Sequence, residues 1–255
     1  MASVELLRLS NVSKTYEPVT GENVEAIRGI SLSLADGEVL ALLGPSGCGK
    51  STLLRLIAGV EIPTSGNIER ASGAGNKQFV VGYVFQDSSL MRWRTVRDNI
   101  RIPLEILGKN DDKRVTEMIR LVGLTGFERA YPIELSGGMQ RRVAVARALI
   151  HEPSVLLMDE PFTGVDEMTK ETLQGELNHL IRRLHVTGAL VTHDIEEAVY
   201  IASRVLVMSS RPGTIIEEVR VPLPDERQPI MRIEEPFISC CRVIREKLNL
   251  LQAVK

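Results

Sequence analysis

The chain has 255 residues, 44% of them hydrophobic and 25% charged, which suits one large domain or a core with a smaller lobe. A net charge of −2 argues against nonspecific nucleic-acid binding as the main task. No apolar run approaches the ~18 residues of a membrane span, and Met1-Ala2-Ser3-Val4-Glu5 is no signal peptide. A cytoplasmic protein is therefore expected unless a partner carries it to a membrane. Three cysteines make no disulfide framework and fit a reducing compartment.

In chain order, Leu6 to Val12 alternates loosely and Ile30 to Leu34 strictly, both as strands do, before the turn Ala35-Asp36-Gly37. Val39-Leu40-Ala41-Leu42-Leu43 reads as a buried strand. Gly44-Pro45-Ser46-Gly47-Cys48-Gly49-Lys50-Ser51-Thr52 follows, and Leu53 to Ala58 reads as a helix ending at Gly59. Pro63 to Gly66 and a Gly/Ser-rich stretch from Ala71 to Asn76 read as turns. Val80 to Phe85 is a strand ending at Gln86. The spacing turns helical from Thr95 to about Val122, with Thr95 and Asp111 as capping candidates. Strand and helix then alternate: Val155 to Met158, Glu167 to Leu184, Ala189 to Val191, Ile195 to Ala202, Val205 to Met208. Such alternation predicts an α/β fold with a mostly parallel sheet. Arg211 to Pro236, rich in Pro and charge, reads as a β-turn connection and loop. A final amphipathic helix spans about Phe237 to Leu251, with Val243, Ile244, Leu248 and Leu251 at helical spacing and Cys240 and Cys241 as neighbouring positions.

The residues from Gly44 to Thr52 match the phosphate-loop pattern GxxxxGK[ST] in full, between a strand and a helix. Glycines let successive N–H groups face one anion, the helix start adds its dipole, and Lys50 supplies a positive charge to the phosphates. The Ser51 hydroxyl is placed to hold Mg²⁺. Cys48, at a helix N-terminus where a thiolate is favoured, reads as a tolerated filler open to alkylation. Val155 to Pro161 is a buried strand ending in two carboxylates. A parallel strand's C-terminal end faces ligand, so Asp159 is expected at the metal that Ser51 holds, and Glu160 beside it is the candidate base for water attack. Leu135-Ser136-Gly137-Gly138-Met139-Gln140 opens a second helix as another phosphate receptor. His193 ends a strand as a γ-phosphate sensor, and Gln86 is placed to reach the metal or the water. Standing alone, Gln86 and His193 would read as ordinary surface or core residues.

Together these motifs resemble the ATPase subunit of the ATP-binding-cassette family, over nearly the whole chain. LSGGMQ is the family's diagnostic signature, whereas the phosphate loop occurs in many unrelated nucleotide hydrolases. The resemblance implies a P-loop NTPase core, an N-terminal antiparallel β subdomain, and a helical subdomain (about 87–150) carrying LSGGMQ. Residues 1–236 would form the ATPase domain and 237–255 a helix packed on it. It implies ATP and Mg²⁺ as cofactors, and head-to-tail pairing with a second copy. Ser136 and Gly138 would then contact the γ-phosphate bound by the partner copy, and Asp166 would reach across the interface. Tyr16 would stack on adenine, although it also reads as an ordinary strand-end aromatic. The loop Phe162-Thr163-Gly164-Val165-Asp166 departs from the family's small-Leu-Asp, which bears on its rigidity.

Leu90-Met91-Arg92-Trp93-Arg94-Thr95-Val96-Arg97-Asp98-Asn99 is similar to the nitrate, sulfonate and taurine branch of importers, which usually has Pro at position 92. Ser209-Ser210-Arg211-Pro212-Gly213 and the final helix resemble that branch too. The branch implies multi-span permease subunits, indirectly a solute-binding protein, and a place at the cytoplasmic face of the inner membrane. Arg92-Trp93-Arg94 reads either as an interface anchor or as a solvated loop pinned by one buried indole. An ATPase acting on ribosomes or nucleic acid, or a regulator of an envelope enzyme, is the alternative class.

Overall fold

The computed structural model describes residues 4–71 and 79–253, and the side chains through Asn249. The expected Gly/Ser turn after Ala71 lies almost wholly outside the described residues. Two sheets are present. One is three-stranded and antiparallel, in the order β2-β1-β4, from β1 (Glu5–Tyr16), β2 (Val24–Ala35) and β4 (Ser65–Arg70). The other has six strands in the order β5-β6-β7-β3-β8-β9. It contains β3 (Val39–Leu43), β5 (Val81–Val84), β6 (Val155–Asp159), β7 (Gly188–Thr192), β8 (Arg204–Met208) and β9 (Ile215–Arg220). All its pairings are parallel except β8 with β9.

The apolar run of β3 is explained by its place between β7 and β8, where all five of its residues are buried. Its side chains alternate between two cores. Val39, Ala41 and Leu43 join the core on the side of the later helices. Leu40 and Leu42 join the one shared with the antiparallel sheet. The helix α1 (Lys50–Ala58) packs in that second core through Leu53, Leu54, Leu56 and Ile57. Gly59, at φ 75°, closes it.

The helical stretch after Thr95 is two helices, α2 (Val96–Ile106) and α3 (Asp112–Leu121). Each is capped as its sequence foretold: Thr95 accepts from Asp98 N and Asp111 from Arg114 N. Beyond them run α4 (Gly137–Leu149), α5 (Glu167–Arg183), α6 (Ile195–Ile201) and α7 (Glu235–Ala253). In α7, Phe237, Cys240, Cys241 and Ile244 are buried while Val243 is 43% exposed.

The sequence reading missed β4 and β9. Both are edge strands. In β4 no residue is buried, and in β9 intermediate and exposed residues alternate. Neither has the hydrophobic signal of a core strand, and β9 lies within the stretch whose Pro and charge content predicts a loop.

Candidate functional site

The C-terminal ends of β3, β5, β6 and β7 share one edge of the sheet, because these strands run parallel and in register. The phosphate loop, Gln86, the Asp159–Glu160 pair and His193 sit at these ends or on the turns leaving them, whereas Ser136 and Gly138 open α4 elsewhere. A cavity of about 330 Å³ opens at the phosphate loop, lined by Tyr16, Ser46, Gly47, Gly49, Lys50, Ser51 and Thr52, and also by Glu160 and Arg211. Gly47 and Gly49 hold φ 75° and 100°. A Cβ on Gly47 would meet nothing within 4 Å, so its face is open; one on Gly49 would sit 2.5 Å from Ile27 Cγ2. Gly44 and Cys48 do not line the cavity. Gly44 packs against Met208, and Cys48 is fully buried. Burial pushes the Cys48 thiol up, although Lys50 opposes this. The expected thiolate and alkylation site are thereby corrected: the helix dipole is outweighed by loss of water. Pro45 contributes its carbonyl to Lys50 rather than a wall of the cavity.

Phosphates and a divalent cation fit this arrangement. Helix α1 opens with no side-chain cap and no acidic residue in its first turn, leaving its N–H groups to an anion. Lys50 Nζ donates to the carbonyls of Gly44 and Pro45 at 2.7 and 2.9 Å. Ser51 Oγ donates to Asp159 Oδ1 at 3.0 Å, so the two expected metal ligands meet. Tyr83 stands over the other oxygen of Asp159 at 3.4 Å. Burial, then the Asp159 charge, pushes its phenol well above the usual range. No cluster of three His, Cys, Asp or Glu able to hold a metal occurs among the described residues. A cation here would therefore take ligands from phosphate and hydroxyl oxygens as well, as Mg²⁺ does.

Glu160 sits just past β6 at φ 46°, its N–H bound to Val191 O at 2.9 Å. That strained conformation turns its carboxylate toward two partners. His193 Nδ1 lies 3.4 Å from Glu160 Oε2, and Thr163 Oγ1 donates to the same oxygen at 3.0 Å. Gln86 is exposed and its side chain makes no hydrogen bond among the described residues. Tyr16 points its hydroxyl at Glu61 Oε2, 2.5 Å away, and its ring lines the cavity.

Ser136 and Gly138 are not at this cavity. Ser136 caps α4 by accepting from Met139 N at 3.3 Å and is exposed, as is Gly137. Gly138 is buried, and a Cβ there would press on Thr169 Cγ2 at 3.1 Å. Asp166 caps α5 by accepting from Thr169 N at 3.0 Å and stays exposed. Gly164 takes φ 79°, which accounts for a glycine in that loop.

Two groups have a place at the site that the sequence does not reveal. Arg211 lines the cavity because the β8–β9 connection is pressed onto the phosphate loop. Gly213 N donates to Ala26 O at 2.9 Å, and a Cβ on Gly213 would stand 2.0 Å from Cys48 O. Only the close approach of that glycine signals it, and spacing does not. Behind His193, Lys170 pairs with Asp194, which caps α6 by accepting from Glu196 N and Glu197 N.

A phosphate loop, a hydroxyl–carboxylate pair for one cation and a carboxylate held by a histidine define a nucleotide-triphosphate hydrolase on a parallel α/β sheet. The ABC transporter family model matches residues 27–163. An aliphatic sulfonates import ATP-binding protein, SsuB 1 of Pseudomonas syringae pv. syringae, is 46% identical over 88% of this chain and 91% of its own. The nitrate import ATP-binding protein NrtD of a Synechocystis species is 44% identical over 88% of this chain and 85% of its own. The dimeric post-hydrolysis cassette MJ0796 bound to ADP and Pi superposes with a TM-score of 0.72 at 30% identity, over 88% of this chain and all of that one. The chain belongs to the ABC transporter family, is similar to its nitrate and sulfonate branch, and is an ATPase.

Proposed function

We propose that the chain is the ATP-hydrolysing subunit of an importer, energising uptake of a small anionic solute of the nitrate, sulfonate or taurine type. Lys50 and the α1 N-terminus hold the phosphates, Ser51 and Asp159 hold Mg²⁺, and Glu160, oriented by His193 and Thr163, takes the proton of the attacking water. Bound Mg²⁺ neutralises phosphate charge as it develops in the transition state. Two copies pair head to tail, so that Ser136 and Gly138 of one complete the site of the other. The dimeric state of the similar MJ0796 cassette supports this pairing, as does the exposure of Ser136 away from the chain's own cavity. Closing of the pair drives multi-span permease subunits at the cytoplasmic face of the membrane, and a solute-binding protein delivers the cargo. No described helix is long and apolar enough to cross a membrane, which fits a peripheral place.

One observation carries the transport reading. Trp93 is 75% exposed between Arg92 and Arg94, on a turn fixed from beneath by Asn99, which is fully buried. Asn99 Oδ1 accepts from Met91 N at 2.8 Å, and Nδ2 donates to the carbonyls of Met91, Arg94 and Thr95. An exposed indole on a turn held by Asn99, beside the segment that leaves Gln86, supports a partner anchor, and the buried-indole alternative does not apply. The test is affinity purification of the tagged chain from its native membranes, with identification of what accompanies it. A stoichiometric multi-span permease supports the reading. Ribosomal proteins, or an envelope enzyme without a permease, would overturn the transport part and leave the ATPase.

A further inference from the structure

The Arg141 side chain is 6% exposed and forms no salt bridge among the described residues, the Asp87 charge reaching it only from further off. A buried guanidinium without a carboxylate is costly unless its N–H groups are spent on good acceptors. Its acceptors are three backbone carbonyls from two other motifs. Nη1 donates to Phe85 O at 2.8 Å and Nη2 to Gln86 O at 2.7 Å, with a longer contact to Thr163 O at 3.5 Å. Phe85 and Gln86 leave β5, and Thr163 follows β6. Arg141 itself stands on α4, one turn past the Ser136 cap.

We propose that Arg141 is a positioning residue of the ATPase reaction, fixing Gln86 and Thr163 relative to the signature helix. Thr163 in turn donates its hydroxyl to Glu160 Oε2. A continuous path thus runs from the N-terminal turns of α4, through one guanidinium, to the backbone of Gln86 and to the carboxylate that takes the proton. When Ser136 and Gly138 engage the partner's nucleotide, that path carries their displacement to Gln86 and Glu160 of the same chain. Arg147, six residues further along α4, extends the grip by donating to Ser88 O and Ser89 O at 2.9 and 2.8 Å. The segment Phe85 to Ser89, which leads to Trp93, is therefore bound to α4 at four carbonyls.

The inference rests on the family's ATPase activity and is independent of the importer reading. The test compares Arg141→Ala, Arg141→Gln and Arg141→Lys in the full chain. Nucleotide affinity is read by calorimetry with MgATP, turnover by phosphate release, and folding by thermal unfolding. Because the nucleotide cavity is not touched by Arg141, the Kd of the Ala and Gln variants should stay within about threefold of wild type. Their kcat should fall by about 10- to 100-fold, since small misplacement of a reacting group costs that much. Arg141→Lys, which keeps a cation able to reach these carbonyls, should recover part of kcat. Unchanged kcat in a folded Arg141→Ala or Arg141→Gln protein would overturn the proposal. So would a rise in Kd together with a fall in kcat and melting temperature in all three, which a merely structural residue would give. A wild-type chain that binds MgATP without hydrolysing it would instead count against the ATPase activity itself.

Discussion

Ser51 Oγ and Asp159 Oδ1 lie 3.0 Å apart although 108 residues separate them in sequence. The parallel sheet brings this about: β3 delivers Ser51 and β6 delivers Asp159 to the same edge, with β7 between the two strands. A hydroxyl and a carboxylate oxygen at that distance would supply two of the six ligands of an octahedral Mg²⁺. Ser51→Ala should therefore weaken Mg²⁺-dependent hydrolysis by at least about 10-fold while nucleotide still binds through Lys50. Titrating Mg²⁺ in a phosphate-release assay checks this. An unchanged Mg²⁺ midpoint would remove Ser51 from the metal.

Glu160 takes the water's proton in the proposed reaction, and Glu160→Gln keeps its shape and removes that ability. Turnover should drop by roughly 10²- to 10⁴-fold. ATP binding should survive, because Lys50 and the α1 N-terminus are untouched, and the undischarged nucleotide should hold two copies together. Light scattering in saturating MgATP should show a dimer. A monomer under those conditions would sink the head-to-tail arrangement.

The parts of this site that the sequence revealed are those set by contiguous residues. The phosphate loop, the two carboxylates of β6, the signature turn and the caps at Thr95 and Asp111 all depend on local backbone chemistry, so a window of a few residues contains them. Pairings across the sheet are different. That Thr163 holds Glu160, that Arg141 holds Gln86, and that Arg211 lines the cavity follow from how strands and helices dock, and no spacing encodes this. Cys48 shows the same limit. Its place at a helix start spoke for a thiolate, but packing sealed it from water and reversed the direction. At the sheet edges β4 and β9 were missed because edge strands bury too little to leave a pattern.

Glu197 makes stability depend on pH. It is 4% exposed, and its Oε1 has no hydrogen-bond partner. Burial, then the Asp194 charge and more weakly Glu160, push its carboxyl up to about 8, against the pull of Lys170 and Thr192. The unfolded chain titrates this group near 4.5, so between these values the folded state keeps a proton that the unfolded state has lost. The contribution to stability is full below pH ~4.5 and is lost as pH rises through about 8. A pH unit of separation is worth about 1.4 kcal/mol, which makes the effect a few kcal/mol. Glu197→Gln removes this dependence. Its melting temperature should match wild type near pH 5 and exceed it at pH 8. The same difference at both pH values would show that the carboxyl does not titrate this way.

Trp93 and Asn99 separate docking from folding. Asn99 satisfies four backbone groups of the Met91–Thr95 turn from a fully buried position. Asn99→Ala removes the partner of Met91 N and Arg94 O and leaves a cavity where a fully buried side chain stood, and should cost about 2–4 kcal/mol of stability. Trp93, exposed on top of the same turn, contributes little to the fold. Trp93→Ala should leave denaturant unfolding within about 0.5 kcal/mol of wild type and weaken capture of the membrane partner, because an exposed aromatic anchor is worth about 2 kcal/mol or more only at an interface. Chemical denaturation of both variants, alongside co-purification from membranes, measures the two effects. If Trp93→Ala unfolded as easily as Asn99→Ala, the indole would belong to the fold, and the partner surface would have to lie elsewhere.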